Sequence, residues 1–185
     1  GKLTGLGHEA LVSNLDGETF SEPVTQSTHF LYAGENRRMG IRIARLNKTC
    51  AGSVRAPGEA VGMPTLENAM DELAEKLGLD PVELRKRNLP ERHPETDLPY
   101  SSRKYAEALD EGARSFGWDK RNLKPGGLRD GEWLIGHGMA GASRVNMIGK
   151  ASTRVTLALD EGGQPHATVE TDMTDIGTGT YAILS

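Results

Sequence analysis

Arg55 lies in the glycine-rich loop Gly52-Ser53-Val54-Arg55-Ala56-Pro57-Gly58-Glu59-Ala60-Val61-Gly62, a fixed cation among small residues just ahead of an apolar helical stripe. Small residues let backbone N–H groups come close to a ligand, and a helix N-terminus favours anions such as phosphate. A guanidinium at that place suits phosphate or oxyanion recognition, because its planar fork of donors matches two oxygens at once. The same physics recurs at Gly177-Thr178-Gly179-Thr180, again just before an apolar helix start. Taken alone, either run is also what a tight turn between a strand and a helix looks like.

A third glycine pattern, Gly136-His137-Gly138-Met139-Ala140-Gly141, matches the GxGxxG dinucleotide fingerprint, and Asp160 follows at about the spacing of a ribose-binding acid. That reading, a Rossmann-type NAD-binding enzyme on Gly136, Gly138, Gly141 and Asp160, needs a helix between the glycines and the acid. Ser143 to Lys150 instead holds a central glycine and lacks an apolar stripe, and no further βα alternation follows. A non-catalytic α+β module that binds a partner is the other alternative. The 5 histidines are scattered without metal-ligand pairing, and the lone Cys50 reads as a small hydrophobe that cannot form an internal disulfide. Asp71, Glu72 and Glu75 read as the solvated face of a helix.

The elements that position these residues follow from periodicity and capping. Met39, Ile41 and Ile43 alternate with Arg38, Arg42 and Ala44, which predicts a strand over Arg38 to Leu46. Leu66, Ala69, Met70, Leu73, Ala74 and Leu77 form an apolar stripe at helical spacing, stopped by Gly78. Asp80-Pro81-Val82-Glu83 opens a second helix with an N-cap acid, a proline at the first helical position and an acid at the third. Arg85, Lys86 and Arg87 near its end suit the helix dipole. A third helix is predicted from about Ser102 to Phe116, with Tyr105, Leu109, Ala113 and Phe116 inward. Trp133 to Ala140 reads as a strand. Thr153 to Met173 reads as a hairpin turning at Asp160 to Pro165. The resulting order of strands, three helices, then strands is α+β.

Composition bounds the partners. Of 185 residues, 23 are glycine, 36% are hydrophobic and 26% are charged, and the net charge is −4 with both signs interspersed. No basic footprint for nucleic acid and no run long enough for a membrane span is present. Compartment is left open. Both ends read as the inside of a longer polypeptide, since the sequence stops as an apolar helix is starting.

Val54 to Gly62, followed by Leu66-Glu67-Asn68-Ala69-Met70-Asp71-Glu72-Leu73-Ala74 and Leu79-Asp80-Pro81-Val82-Glu83-Leu84-Arg85-Lys86-Arg87-Asn88-Leu89, resembles the molybdenum-binding large subunit of the xanthine dehydrogenase/aldehyde oxidoreductase family. Pro99-Tyr100-Ser101-Ser102, Gly112 to Trp118, and Asp175 to Thr180 carry the likeness onward in the same order. The resemblance implies an internal stretch of such a subunit. Residues 1–120 would be the end of a first cofactor-binding lobe, 121–131 a connector and 132–185 the start of a second lobe.

By the same likeness, Arg55 and Ala56 lie against a molybdenum-bearing molybdopterin, in bacteria usually its cytosine dinucleotide form. Gly177, Thr178 and Gly179 match a cofactor-contacting turn written Gly-Gln-Gly in the family, with threonine in place of the amide. Pro57, Ser143 and Arg144 match the substrate pocket, the register of 139–150 being offset by gaps. Pro57 stands where the family places a substrate-stacking aromatic, which leans the expectation from purines toward aldehydes. The implied reaction is hydroxylation of an aldehyde or aromatic heterocycle with oxygen from water, the electrons leaving through iron–sulfur and FAD partners. The family's catalytic glutamate has no counterpart here, so the isolated stretch is expected to be inert. Its partners would be the other lobes of the same subunit and the iron–sulfur and flavin subunits, and apolar surface would be left where further lobes pack.

Overall fold

A computed structural model describes residues 1–145 and 149–185. The chain falls into two compact units, Gly1–Val145 and Asn146–Ser185, and the architecture is α+β.

In the first unit, strands β1 (Gly5–Asn14) and β2 (Asn36–Arg45) pair in parallel, from Gly5 opposite Asn36 to Asn14 opposite Arg45. Parallel neighbours need a crossover, and residues 15–35 supply it with a 3-10 turn at Gln26–His29. On β2 the alternation holds: Arg38 and Arg42 are exposed, while Met39, Ile41 and Ile43 are half-buried.

Helix α1 (Glu59–Leu77) carries the core. Its stripe of Met63, Leu66, Met70 and Ala74 packs on Leu31, Tyr32 and Leu84, with Leu3, Leu6, Leu73 and Leu79 around them. Each fully buried side chain of that size contributes roughly 1.5–3 kcal/mol. The helix begins inside the run that glycine content assigns to a loop, and it takes in Pro64. What holds the early start is a long-range clamp. Gly58 N–H donates to Glu22 Oε1, and Gly58 has φ +84 with its absent Cβ leaving room for the Pro23 carbonyl. A side chain there would overlap backbone, so the turn requires glycine.

Helix α2 (Pro81–Arg87) is capped as its sequence predicts. Asp80 Oδ1 accepts from the N–H groups of Val82 and Glu83 at 2.8 and 3.3 Å. Its other oxygen accepts from Trp118 Nε1 at 2.9 Å and Arg121 at 2.6 Å. Burial alone would raise the Asp80 pKa, but the Trp118 and Arg121 bonds outweigh it and hold the carboxyl below its ordinary value. Asn88, after the helix, accepts from Leu3 N–H and donates to the carbonyls of Gly1 and Leu84, stitching the first residues onto α2.

Two expectations fail in this unit. Helix α3 (Tyr105–Phe116) has no fully buried residue, and Phe116 is 61% exposed rather than inward. Its ring meets His137 edge-on instead, at 5.6 Å between centroids. Trp133 to Ala140 is not one strand: only β4 (Trp133–Leu134) pairs, with β3 (Arg129–Asp130), and residues 135–140 are irregular. The apolar run there is too glycine-rich to sustain a ladder. Arg85 does lie in the last turn of α2, and it is fully buried there.

The second unit is an antiparallel hairpin, β5 (Thr153–Leu159) with β6 (Pro165–Thr171), followed by the short helix α4 (Thr180–Leu184). Val155, Leu157 and Leu159 alternate along β5 and are all exposed, Leu157 at 78%. The hairpin overturns the Rossmann alternative. Asp160, the would-be ribose acid, sits in the hairpin loop and spends its carboxylate on the N–H groups of Gly162 and Gln164 at 2.9 and 2.8 Å. Gly136 to Gly141 leads into no helix among the described residues, and residues 146–148 lie outside them.

Candidate functional site

The run before α1 presents Arg55 to solvent, and among the described residues its guanidinium makes no hydrogen bond or ion pair. Next to it, Ala56 is held at φ +54, an unusual conformation for a residue with a side chain that costs about 1–3 kcal/mol. The strain is sustained from both sides: the Ala56 carbonyl accepts the Ala60 N–H at 3.0 Å, and Gly58 is clamped by Glu22. Pro57 is half-buried between them. A free cation therefore stands at the N-terminus of a 19-residue helix on a rigid, strained turn. This arrangement can bind an oxyanion without first breaking an internal pair.

Glu59, the first residue of α1, links this turn to the second predicted patch. Arg144 Nη1 donates to Glu59 Oε2 at 3.1 Å, while Glu59 itself is buried. Its other oxygen, Oε1, is buried and has no hydrogen-bond partner among the described residues. Ser143 is fixed by its carbonyl, which accepts from Ser27 Oγ at 2.6 Å. The structure thus brings Arg144 to Glu59 at the start of α1 and Ser143 to Ser27. The agent is a glutamate that carried no role in the sequence reading.

Two turns further along the same helix face, Glu67 holds the start of that segment. Its Oε2 accepts from Gly141 N–H at 2.6 Å and from Arg85 Nε at 2.8 Å, and its Oε1 accepts from the Tyr32 hydroxyl at 2.6 Å. Arg85 also donates to the Glu67 carbonyl at 3.0 Å and pairs with Asp71 at 2.7 Å. Asp71, 41% exposed, keeps its place on the solvated acidic face and reaches Arg85 from there. Burial, then the Glu67 charge and hydrogen bond, push the Tyr32 hydroxyl pKa well up, so Tyr32 stays a donor. For Arg85, the attraction of Glu67 outweighs desolvation and its pKa rises. Sequence did hold a signal: Glu67 falls on the Met63, Met70 and Ala74 spacing, where a carboxylate must find a partner.

The turn at Gly177, Thr178 and Gly179 belongs to the second unit and has a different interior. Asp175 Oδ1 accepts from all three N–H groups, at 2.8, 3.1 and 3.3 Å. The Thr178 hydroxyl pairs with that of Thr180 at 3.2 Å. The Gly177 N–H bond, with those from Gly179 and Thr178, holds the Asp175 carboxyl below its ordinary value. Its backbone donors are engaged by the chain's own anion.

Among the described residues no three His, Cys, Asp or Glu side chains gather as a metal-ligating group, and no helix is long and apolar enough to cross a membrane.

A family model described as the molybdopterin cofactor-binding domain matches residues 1–89. The whole chain is 48% identical over 186 residues to the aldehyde oxidoreductase molybdenum-binding subunit PaoC of Escherichia coli K12, covering 25% of that protein. It is 31% identical over 151 residues to the putative xanthine dehydrogenase molybdenum-binding subunit XdhA of the same strain, covering 69% of this chain and 20% of that protein. The chain spans about a quarter of the length of the curated relatives it matches. The sequence motifs from Val54 to Leu89, the α+β architecture and these matches agree: the chain belongs to the molybdenum-binding subunits of the xanthine dehydrogenase/aldehyde oxidoreductase family.

Proposed function

We propose that this chain is part of a molybdopterin-dependent oxidoreductase that hydroxylates aldehydes with oxygen taken from water. The observation that carries the reading is Arg55, unpaired among the described residues, on the strained Ala56-Pro57 turn, with Arg144 held at Glu59, the first residue of the helix that follows. That donor set suits a phosphate-bearing pterin: one free guanidinium and a helix N-terminus, with no competing internal anion on Arg55. When bound, the cofactor supplies the two-electron oxidation and the activated water. The chain's own residues bind and orient. Arg55 and Ala56 face the cofactor, Pro57, Ser143 and Arg144 shape the substrate pocket, and Gly177, Thr178 and Gly179 give a second cofactor contact. That turn would act through close backbone approach and the Thr178 hydroxyl, because its N–H groups already serve Asp175.

Aldehyde rather than purine is favoured because Pro57 offers no ring face for stacking. The cofactor form is the cytosine dinucleotide, and electrons leave through iron–sulfur and FAD partners. Residues 1–120 and 132–185 belong to successive lobes joined at 121–131, and the exposed Val155, Leu157 and Leu159 row is surface that a further lobe covers. Metal and pterin analysis of the full-length protein, followed by turnover of an aldehyde and purine panel, tests this. Molybdenum with a cytidylate-bearing pterin and turnover of aldehydes alone are expected. A molybdenum-free protein, or purine turnover exceeding aldehyde turnover, overturns it.

A further inference from the structure

Glu67 receives three hydrogen bonds from three separate parts of the chain: Tyr32 before β2, Arg85 in α2 and the Gly141 N–H. Its side chain is 3% exposed and that of Arg85 is 0% exposed. A buried carboxylate with this many donors has one place to sit, and anything bonded to it inherits that place. Gly141 is seated just as tightly. A Cβ on Gly141 would overlap the Tyr105 hydroxyl and lie 2.8 Å from the Tyr105 ring carbon that bears it. The Tyr105 hydroxyl itself is buried and bonds to nothing among the described residues. Three residues further on, Arg144 reaches Glu59, two helical turns from Glu67 on the same helix. The segment 141–144 is therefore pinned to α1 at both ends, Gly141 at Glu67 and Arg144 at Glu59.

We propose that Glu67 is a positioning residue. Through the Gly141 N–H, with Arg85 and Tyr32 fixing its carboxylate, it sets where Ser143 and Arg144 stand over the N-terminus of α1. Arg85 is the counterion that makes a buried carboxylate at Glu67 tolerable, and Tyr105 is the wall that keeps residue 141 a glycine. The consequence for catalysis rests on the proposed reading that Ser143 and Arg144 line the substrate pocket. The placement of the segment does not.

Four variants of the full-length enzyme separate the claims. In Glu67→Gln the amide keeps an oxygen toward Arg85 and Gly141 and turns its NH2 to the Tyr32 hydroxyl, which can accept, so the fold survives while the charge is lost. Hydrogen exchange of the Gly141 amide is expected to speed up by about tenfold or more, and by a larger factor than that of α2, where Arg85 keeps Asp71 as a partner. Exchange that stays the same at Gly141, or that rises equally in α2, overturns the proposal. In Gly141→Ala the collision with Tyr105 shifts the segment, and removing that hydroxyl in Gly141→Ala/Tyr105→Phe is expected to recover part of the lost protection, with Tyr105→Phe alone as the neutral control. No recovery in the double variant overturns the seating of Gly141 against Tyr105. Assayed with benzaldehyde, Glu67→Gln and Gly141→Ala should show a KM raised several-fold with kcat within about twofold, the pattern of a displaced binding group. A fall in kcat at unchanged KM, with the exchange pattern as expected, leaves the positioning intact and rejects the pocket reading of Ser143 and Arg144.

Discussion

Two glycine-rich turns in this chain feed helices, and by local sequence they should behave alike. Before α1, the turn is held from a distance: Glu22 takes the Gly58 N–H, the Pro23 carbonyl fills the space a Cβ would need, and among the described residues Arg55 has no partner. Before α4, the turn is held from within: Asp175, two residues upstream, takes the N–H groups of Gly177, Thr178 and Gly179. One turn leaves a cation free and the other has already supplied its own anion. A glycine-rich run ahead of a helix is therefore not yet a binding site. Where its donors and charges are spent decides that, and the spending is a tertiary fact.

The comparison predicts that damage around α1 is global and damage around α4 is local. The largest effect should come from Arg85→Ala, which strands the buried Glu67 carboxylate and is expected to cost about 3–5 kcal/mol in urea unfolding of the first unit. A loss below about 1 kcal/mol would mean that Glu67 is relieved by water and the two regions are not so different. Gly58→Ala comes next. It forces a side chain both into the φ +84 conformation and onto the Pro23 backbone, so a loss of about 1–3 kcal/mol is expected. If unfolding shows no change, the clamp from Glu22 and Pro23 is not what starts the helix.

Arg55→Ala sharpens the contrast from the other side. Exposed and unpaired, Arg55 contributes little to folding, and the variant should unfold within about 0.5 kcal/mol of the parent. The full-length protein carrying it should nonetheless retain less molybdenum and pterin after gel filtration. Unchanged cofactor retention with normal stability would remove Arg55 from the site.

Much of the frame was legible because its signals are local. Leu66, Met70 and Ala74 of the stripe, the Asp80-Pro81 start of α2 and the hairpin within Thr153 to Met173 rest on caps and periodicities within a few residues, and the structure keeps them, although Ala69 and Leu77 of the same stripe are exposed. What was not legible rests on long-range pairing. Arg85 reads as a cation placed for the helix dipole, yet it lies buried against Glu67, 18 residues away. The Gly141 N–H finds that same carboxylate from 74 residues away, and no local rule announces it. Phe116 fails for the converse reason: helical spacing shows which face is apolar, not whether anything covers it. Of the candidate site, Arg55, Ala56 and Pro57 were read from motif and chemistry, whereas Glu59 and Glu67, which join them to Ser143 and Arg144, emerged only from the folded geometry.

The smallest expected effect lies in the turn before α4, and it carries a sign. Backbone N–H donation from Gly177, then from Gly179 and Thr178, depresses the Asp175 pKa below the ordinary 3.8 of the unfolded chain. A carboxyl with a depressed folded value binds protons less readily when folded, so its contribution is complete above 3.8 and disappears as pH falls through the lower, folded value. Being fully exposed, the group influences the turn and α4 rather than the stability of the whole chain. An NMR titration of the Gly177, Thr178 and Gly179 amides should therefore show one acid transition below pH 3.8, absent in Asp175→Ala, while the amides of Ala56 to Glu59 hold their positions. A transition at or above 3.8 would mean that Asp175 does not hold those donors, and the turn would then be as free for an external anion as the one beside Arg55.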